Sequence, residues 1–173
     1  MNKDTLQHLV PGSYPSYIDI TENIPLNESL QKSYAAVDEL EAYRALSLKA
    51  YAPGKWTVND VILHMADTER VFQYRAMVFA RNDKSPLPSF DQDIYAAAGK
   101  ANQRSFDSLV AEFKLVKQNT LQLFSTLGEE ELLQVSTFSK FTIPVLAIGY
   151  TIVGHQQHHL EILKERYLPL LQQ

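Results

Sequence analysis

Three of the five histidines in this chain fall within five residues of one another, in the run Gly154-His155-Gln156-Gln157-His158-His159; the other two are His8 and His64. Histidine is the commonest protein metal ligand, and it ligates as the neutral imidazole. His155 and His159 are four residues apart, so on a helix their rings lie on one face, a turn apart, and can share one ion. The apolar stripe through them reads Val145, Ile148, Ile152, His155, His159, Ile162. Two histidines therefore stand where a helical bundle expects core residues, which is where bundles build metal sites. His64 does the same in a second stripe, Thr57, Val61, His64, Thr68, Val71, Arg75, Val78. One ligand from that helix and an i, i+4 pair from another make a three-histidine site for a divalent transition ion. Imidazole donors suit Zn, Ni, Cu or Fe, and three protein ligands leave room for water or substrate. Affinity should fall as the histidines protonate, near an unperturbed pKa of about 6.5. His158 is offset, on a face with Thr151, Glu161 and Glu165, and reads as more exposed; His8 lies outside the site. Against this stands the plain alternative of hydrogen-bonded core histidines.

The residue after His155 is Gln156, where the H-E-x-x-H motif of zinc proteases needs Glu as general base, so protease chemistry of that kind is disfavoured. Asp67 and Glu69 follow His64 closely enough to orient a histidine from behind. Glu69, Arg70 and Arg75 read equally well as a salt-bridged helix face. Phe90, Asp91 and Tyr95 either form a lid over one end of the bundle or belong to a plain connecting loop. No phosphate-binding loop, dinucleotide fingerprint or Gly-x-Ser-x-Gly occurs. The chain has no cysteine, which removes disulfides, thiolate metal sites and a cysteine nucleophile together.

The elements that must position these side chains follow from spacing and punctuation. Residues 1–26 carry Pro11, Gly12, Pro15 and Pro25 among Tyr14, Tyr17 and Ile18, and read as an extended arm lying on the body, because the aromatics need cover. Asn27 is a plausible cap for a first helix carrying Leu30, Tyr34, Val37, Leu40 and Leu48, through residue 50. Thr57 with Asp60 makes a capping-box pair, and Trp56 with Val61 a hydrophobic staple, for a second helix running to about Arg81. Residues 90–102 read as a loop with a short helix over 94–98. A third helix is capped by Ser105 and runs to about Leu127, with one more turn over 128–133. Residues 135–141 alternate weakly, as a short extended pair or a loop. A fourth helix spans 143–167 and ends before Pro169. The fold class this defines is all-α: a four-helix bundle over residues 27–173, with an N-terminal arm over 1–26 and long connections.

Composition agrees with one soluble domain: 173 residues, 45% hydrophobic and 21% charged, within the usual range for a globular chain. The net charge of −4, with no block of Lys or Arg, argues against nucleic acid and anionic membrane as partners. No secretory leader is visible over residues 1–10. The longest nearly uncharged apolar stretch, 141–153, is short of the roughly 20 residues of a spanning helix. A cytoplasmic location is the expectation.

The run Lys55-Trp56-Thr57-Val58-Asn59-Asp60-Val61-Ile62-Leu63-His64-Met65-Ala66-Asp67-Thr68-Glu69-Arg70, followed by Tyr74-Arg75, Phe79-Ala80-Arg81 and finally Gly154-His155 through His158-His159-Leu160, resembles the DinB/YfiT-like proteins. The resemblance covers residues 27–168. It implies an antiparallel four-helix bundle, often dimeric, that holds a divalent metal such as Zn or Ni on three histidines, and the family pattern falls on His64, His155 and His159. Relatives include thiol-dependent S-transferases, a mycothiol-dependent isomerase and proteins described only as metal-dependent hydrolases. The expectation is a homodimeric enzyme acting on a small-molecule substrate by hydrolysis or by transfer to a low-molecular-weight thiol, which must come from solution because the chain has no cysteine. The sequence marks no general acid or base. The competing expectation is a non-catalytic bundle whose ion serves stability, closed by a fourth protein ligand.

Overall fold

A computed structural model of the chain describes residues 1–9, 16–138 and 141–172. In chain order the helices are α1 (Asp4–Leu9), α2 (Leu26–Ala35), α3 (Val58–Ala80), α4 (Gln92–Gly99), α5 (Phe106–Ser125), α6 (Glu129–Leu133) and α7 (Val145–Ile162). Strands β1 (Val135–Phe138) and β2 (Phe141–Pro144) form an antiparallel hairpin with Val135 opposite Pro144. The bundle is built from α2, α3, α5 and α7: α3 packs on α5 and α7, and α2 on α7 and α5. Among the described residues no helix is long and apolar enough to cross a membrane.

The punctuation in the sequence works as chemistry predicts for α3 and α5. Thr57 is extended, its hydroxyl accepts from the amide of Asp60, and the Asp60 carboxylate accepts from the amide of Thr57 at 2.9 Å, closing the capping box. Ser105 caps α5 by accepting from the amide of Ser108. The first helix departs from expectation. It begins at Leu26, after Pro25, not behind an Asn27 cap, because the Leu26 amide donates to the Met1 carbonyl at 2.9 Å and needs no side-chain cap. Beyond Ala35 the chain tightens into a 3-10 helix, Ala36–Leu46. Its buried residues Val37, Leu40, Tyr43 and Leu46 recur every third position, the period of that helix, while Leu48, expected in the core, is exposed. The arm is likewise helical where described, with α1 and a 3-10 turn at Ser16–Ile18. Leu6 and Ile18 are buried; Tyr14 lies outside the described residues. The last helix starts at Val145, since Ile143 and Pro144 belong to β2, and continues through a π turn, Leu163–Tyr167.

The core divides into two clusters with a polar layer between them, and this layer positions the site. Along α2, Leu26 and Leu30 belong to one cluster, Val37 and Leu40 beyond it to the other, and buried Ser33 lies between. Along α3 the order is reversed: Val58 to Ala66, then buried Thr68 and Glu69, then Ala76 to Ala80. Helix α5 runs like α3, with buried Lys117 and Thr120 between its two apolar stretches. Helix α7 runs like α2, with His155, Gln156 and His159 in the gap. The four helices are therefore two parallel pairs, α2 with α7 and α3 with α5, opposed to each other. Two consecutive bundle helices, α3 and α5, run in the same direction only because residues 81–105, carrying α4 back along α3, return the chain to the starting end.

Candidate metal centre

His64 comes from the second turn of α3, His155 and His159 from successive turns of α7, and all three are buried. Their Nε2 atoms converge, with every pair 3.1 Å apart. Such a triangle cannot satisfy itself. An Nε2 atom is either donor or acceptor, so with neutral rings at least two of the three present the same character to each other. A cation offered to three lone pairs resolves the conflict. Ligand atoms about 2.1 Å from one centre at tetrahedral angles lie about 3.4 Å apart, and at right angles about 3.0 Å, so the observed spacing falls in the range of a shared ion. Among the described residues these three histidines are the group able to hold a metal, and no carboxylate joins them.

The electrostatics favour the ligating form. Burial pushes the His64 pKa down to about 4. Burial, then neighbouring His64 and His158, pushes His159 to about 3. His155 lies well below the usual imidazole value through burial, then through His159, His64 and Lys117. All three rings are neutral at pH 7. The Thr68 hydroxyl lies 3.4 Å from His64 Nδ1, and His159 Nδ1 is buried with no partner among the described groups.

Aromatic rings fix the other faces. Trp56 packs on His64 with ring centres 4.7 Å apart. Tyr17 meets His155 edge-on at 5.4 Å and also touches His158. The 3-10 turn can come this close only because residue 154 is glycine: a Cβ there would stand 1.9 Å from the Tyr17 carbonyl oxygen. His158 is half-buried and outside the trio, as its offset implied, although Thr151 on its expected exposed face is buried. His8 lies on α1, and its side chain falls outside the description.

Other sequence expectations resolve differently. Asp67 pairs with Arg70 at 2.9 Å, so it orients no histidine. Glu69 is buried and pairs with Lys117 of α5 at 2.9 Å, and it also accepts from the Thr120 hydroxyl. Lys117 donates to Ser33, and the Gln156 amide donates to the Ser33 carbonyl at 2.8 Å. A polar chain thus crosses the bundle to the residue beside His155. Sequence reasoning missed Lys117, although a lysine in register with Phe113, Thr120 and Phe124 on the apolar stripe was the visible signal. Phe90 and Tyr95 line a separate cleft with Arg70 and Tyr74, which no histidine borders; Asp91 caps α4 and Tyr95 lies on that helix. The opening to the site is elsewhere. A cleft of about 280 Å³ bounded by Tyr51, Trp56, Val61, Ile162 and Tyr167 reaches His159, with exposed Lys55 and Asp93 in its lining. The Tyr167 hydroxyl donates to the Trp56 carbonyl at 2.6 Å and holds that wall.

Fold and site together define a four-helix-bundle protein with a three-histidine centre fitted to a transition ion. The chain belongs to the DinB superfamily, whose family model matches residues 25–163. It is 26% identical over 118 residues, 67% of each chain, to a protein of Oceanobacillus iheyensis named a putative metal-dependent hydrolase. Its fold matches that of YfiT from Bacillus subtilis with a TM-score of 0.74 at 17% identity, over 93% of this chain and 98% of that one. YfiT is described as a probable metal-dependent hydrolase with an unusual four-helix bundle topology.

Proposed function

We propose that the chain is a metal-dependent hydrolase of a small molecule, with His64, His155 and His159 holding one divalent ion, zinc or nickel. The observation that carries the reading is a convergent trio of neutral imidazoles with no carboxylate among them, one member of which, His159, lines an open cleft. A structural zinc site is closed by a fourth protein ligand, whereas a catalytic one keeps a position for water or substrate. The names of the O. iheyensis relative and of YfiT support the same class of reaction.

A divalent ion on three neutral ligands supplies Lewis acidity, lowering the pKa of water, or of a low-molecular-weight thiol, so that either becomes a nucleophile at neutral pH. The chain does the rest. Burial keeps the three Nε2 lone pairs unprotonated, Trp56 and Tyr17 fix the ring planes of His64 and His155, and the Tyr51–Trp56 wall limits what reaches His159. Thiol transfer uses the same geometry and is the second reading, with the thiol supplied from solution because the chain has no cysteine. The proposal takes the chain as a homodimer, without nucleic acid or membrane partners and cytoplasmic.

The test is elemental analysis of protein reconstituted with zinc or nickel, then a screen of esters and amides beside thiol–electrophile pairs. About one ion per chain and activity lost in His64→Ala at unchanged helical content are expected. Absence of stoichiometric metal overturns the assignment; metal without any turnover makes the ion structural.

A further inference from the structure

The cleft at His159 has a lopsided chemistry. One wall is aromatic, with Tyr51, Trp56 and Tyr167, and the floor is aliphatic, with Val61 and Ile162. Beside the tyrosine hydroxyls, the polar side chains of the lining are His159 and the oppositely charged Lys55 and Asp93, which together select no net charge. The wall is held in place: Tyr51 meets Tyr167 edge-on at 5.2 Å, Tyr167 is tied to the Trp56 backbone, and Trp56 is packed against His64. A rigid aromatic wall favours a flat ligand, because a ring can stack or meet ring edges along its whole face while a puckered aliphatic body touches at few points. The volume of about 280 Å³ corresponds to about nine liquid waters at roughly 30 Å³ each. That accommodates a single ring with one functional group and excludes a folded peptide.

Resting on the hydrolase reading above, we propose that this cleft is a slot for the aromatic acyl group of a small amide or ester, with Trp56 and Tyr51 as the residues that select it. The ring of the substrate lies along Trp56 and Tyr51, and its carbonyl points to the His159 end. Hydrolysis there consumes a water: a C–O bond forms as the C–N or C–O bond to the leaving group breaks, and the leaving amine or alcohol takes the proton.

Trp56 is the single tryptophan of the chain; it also borders a second cleft with Asp60 and Ala97, so the Tyr51 variants, which alter the His159 cleft and not that one, assign the signal. Zinc-loaded protein is titrated with benzamide and with cyclohexanecarboxamide, which match in size and charge and differ in flatness. Benzamide should give a saturable change in Trp56 emission with a Kd at least about fivefold below that of the cyclohexyl amide. Tyr51→Ala should erase the difference, and Tyr51→Phe should keep it. Equal or tighter binding of the cyclohexyl amide, or emission indifferent to both up to their solubility, overturns the slot. Zinc content measured on the same samples separates the two ideas. Zinc held without aromatic preference leaves the hydrolase reading and removes the slot. Aromatic preference in protein that holds no zinc removes the hydrolase reading and leaves the slot as a binding site.

Discussion

His158 and His159 are neighbours in sequence but face different ways, because one residue is about 100° of helical turn. His159 and His155 aim Nε2 at His64, whereas His158 points its ring toward Tyr17. His155→Ala or His159→Ala should each abolish tight zinc binding, and His158→Ala should change the Kd by less than about threefold, measured by competition with a chromogenic chelator; equal losses in all three variants would contradict the geometry. Burial also moves the pH window away from the unperturbed value near 6.5. With folded pKa values at about 4 for His64 and about 3 for His159, the unfolded chain takes up protons below about 6.5 that the folded chain refuses. This part of the stability is therefore complete above that pH and is lost as the pH falls toward the folded values. Metal-free protein should lose about 1 kcal/mol per histidine between pH 6 and pH 5, read from urea denaturation. Proton competition for zinc at the folded site should accordingly be weak down to about pH 5. The first expectation, of affinity falling near 6.5, used the pKa of an imidazole in water.

At the scale of elements, the polar layer ties four helices together. Lys117 and Glu69, with side chains 1% and 3% exposed, form an ion pair whose desolvation cost is met only because Ser33 and Thr120 supply further hydrogen bonds. Lys117→Met should destabilise the fold by about 3–5 kcal/mol, since it strands a buried carboxylate. The double variant Lys117→Met with Glu69→Leu should recover most of that loss. Chemical denaturation of the singles and the double measures both, and a double variant no better than the single would show that the pair contributes more than its burial costs. The same layer sets the rotation of α7, because Gln156 is bound to the Ser33 carbonyl on one side while His155 faces α3 on the other.

For the whole molecule, an ion held by the trio would be linked to the fold. The ligands come from two helices 91 and 95 residues apart in sequence, so the unfolded chain has no preformed site and binding energy becomes folding energy. At free zinc one hundred times its Kd the native state should gain about 2.7 kcal/mol, about 5–10 °C in Tm for a chain of this size. A Tm unchanged between zinc and a chelator would show that the trio holds no ion in the folded protein. The N-terminal third of α3, which carries His64, lies against α7, and that contact completes the site.

What the sequence alone determined was local. Capping residues fixed where α3 and α5 begin, the i, i+4 spacing put His155 and His159 on one face, and the apolar stripes put three histidines at inward positions. Each of these depends on residues within a turn or two of one another, where the helical period suffices. Tertiary structure decided the rest. The three Nε2 atoms meet because α3 and α7 pack side by side, Lys117 finds Glu69 across the core, and Tyr17 reaches His155 over the bare Cα of Gly154. The opening to the site lies at Tyr51 and Trp56, with Asp93 of α4 in its lining. Residues 36–46 carried their answer in the three-residue period of Val37, Leu40, Tyr43 and Leu46, but a register read at 3.6 residues per turn concealed it. Contacts between distant segments depend on helix direction and on the path of a 25-residue connection, 81–105, and no local period encodes either.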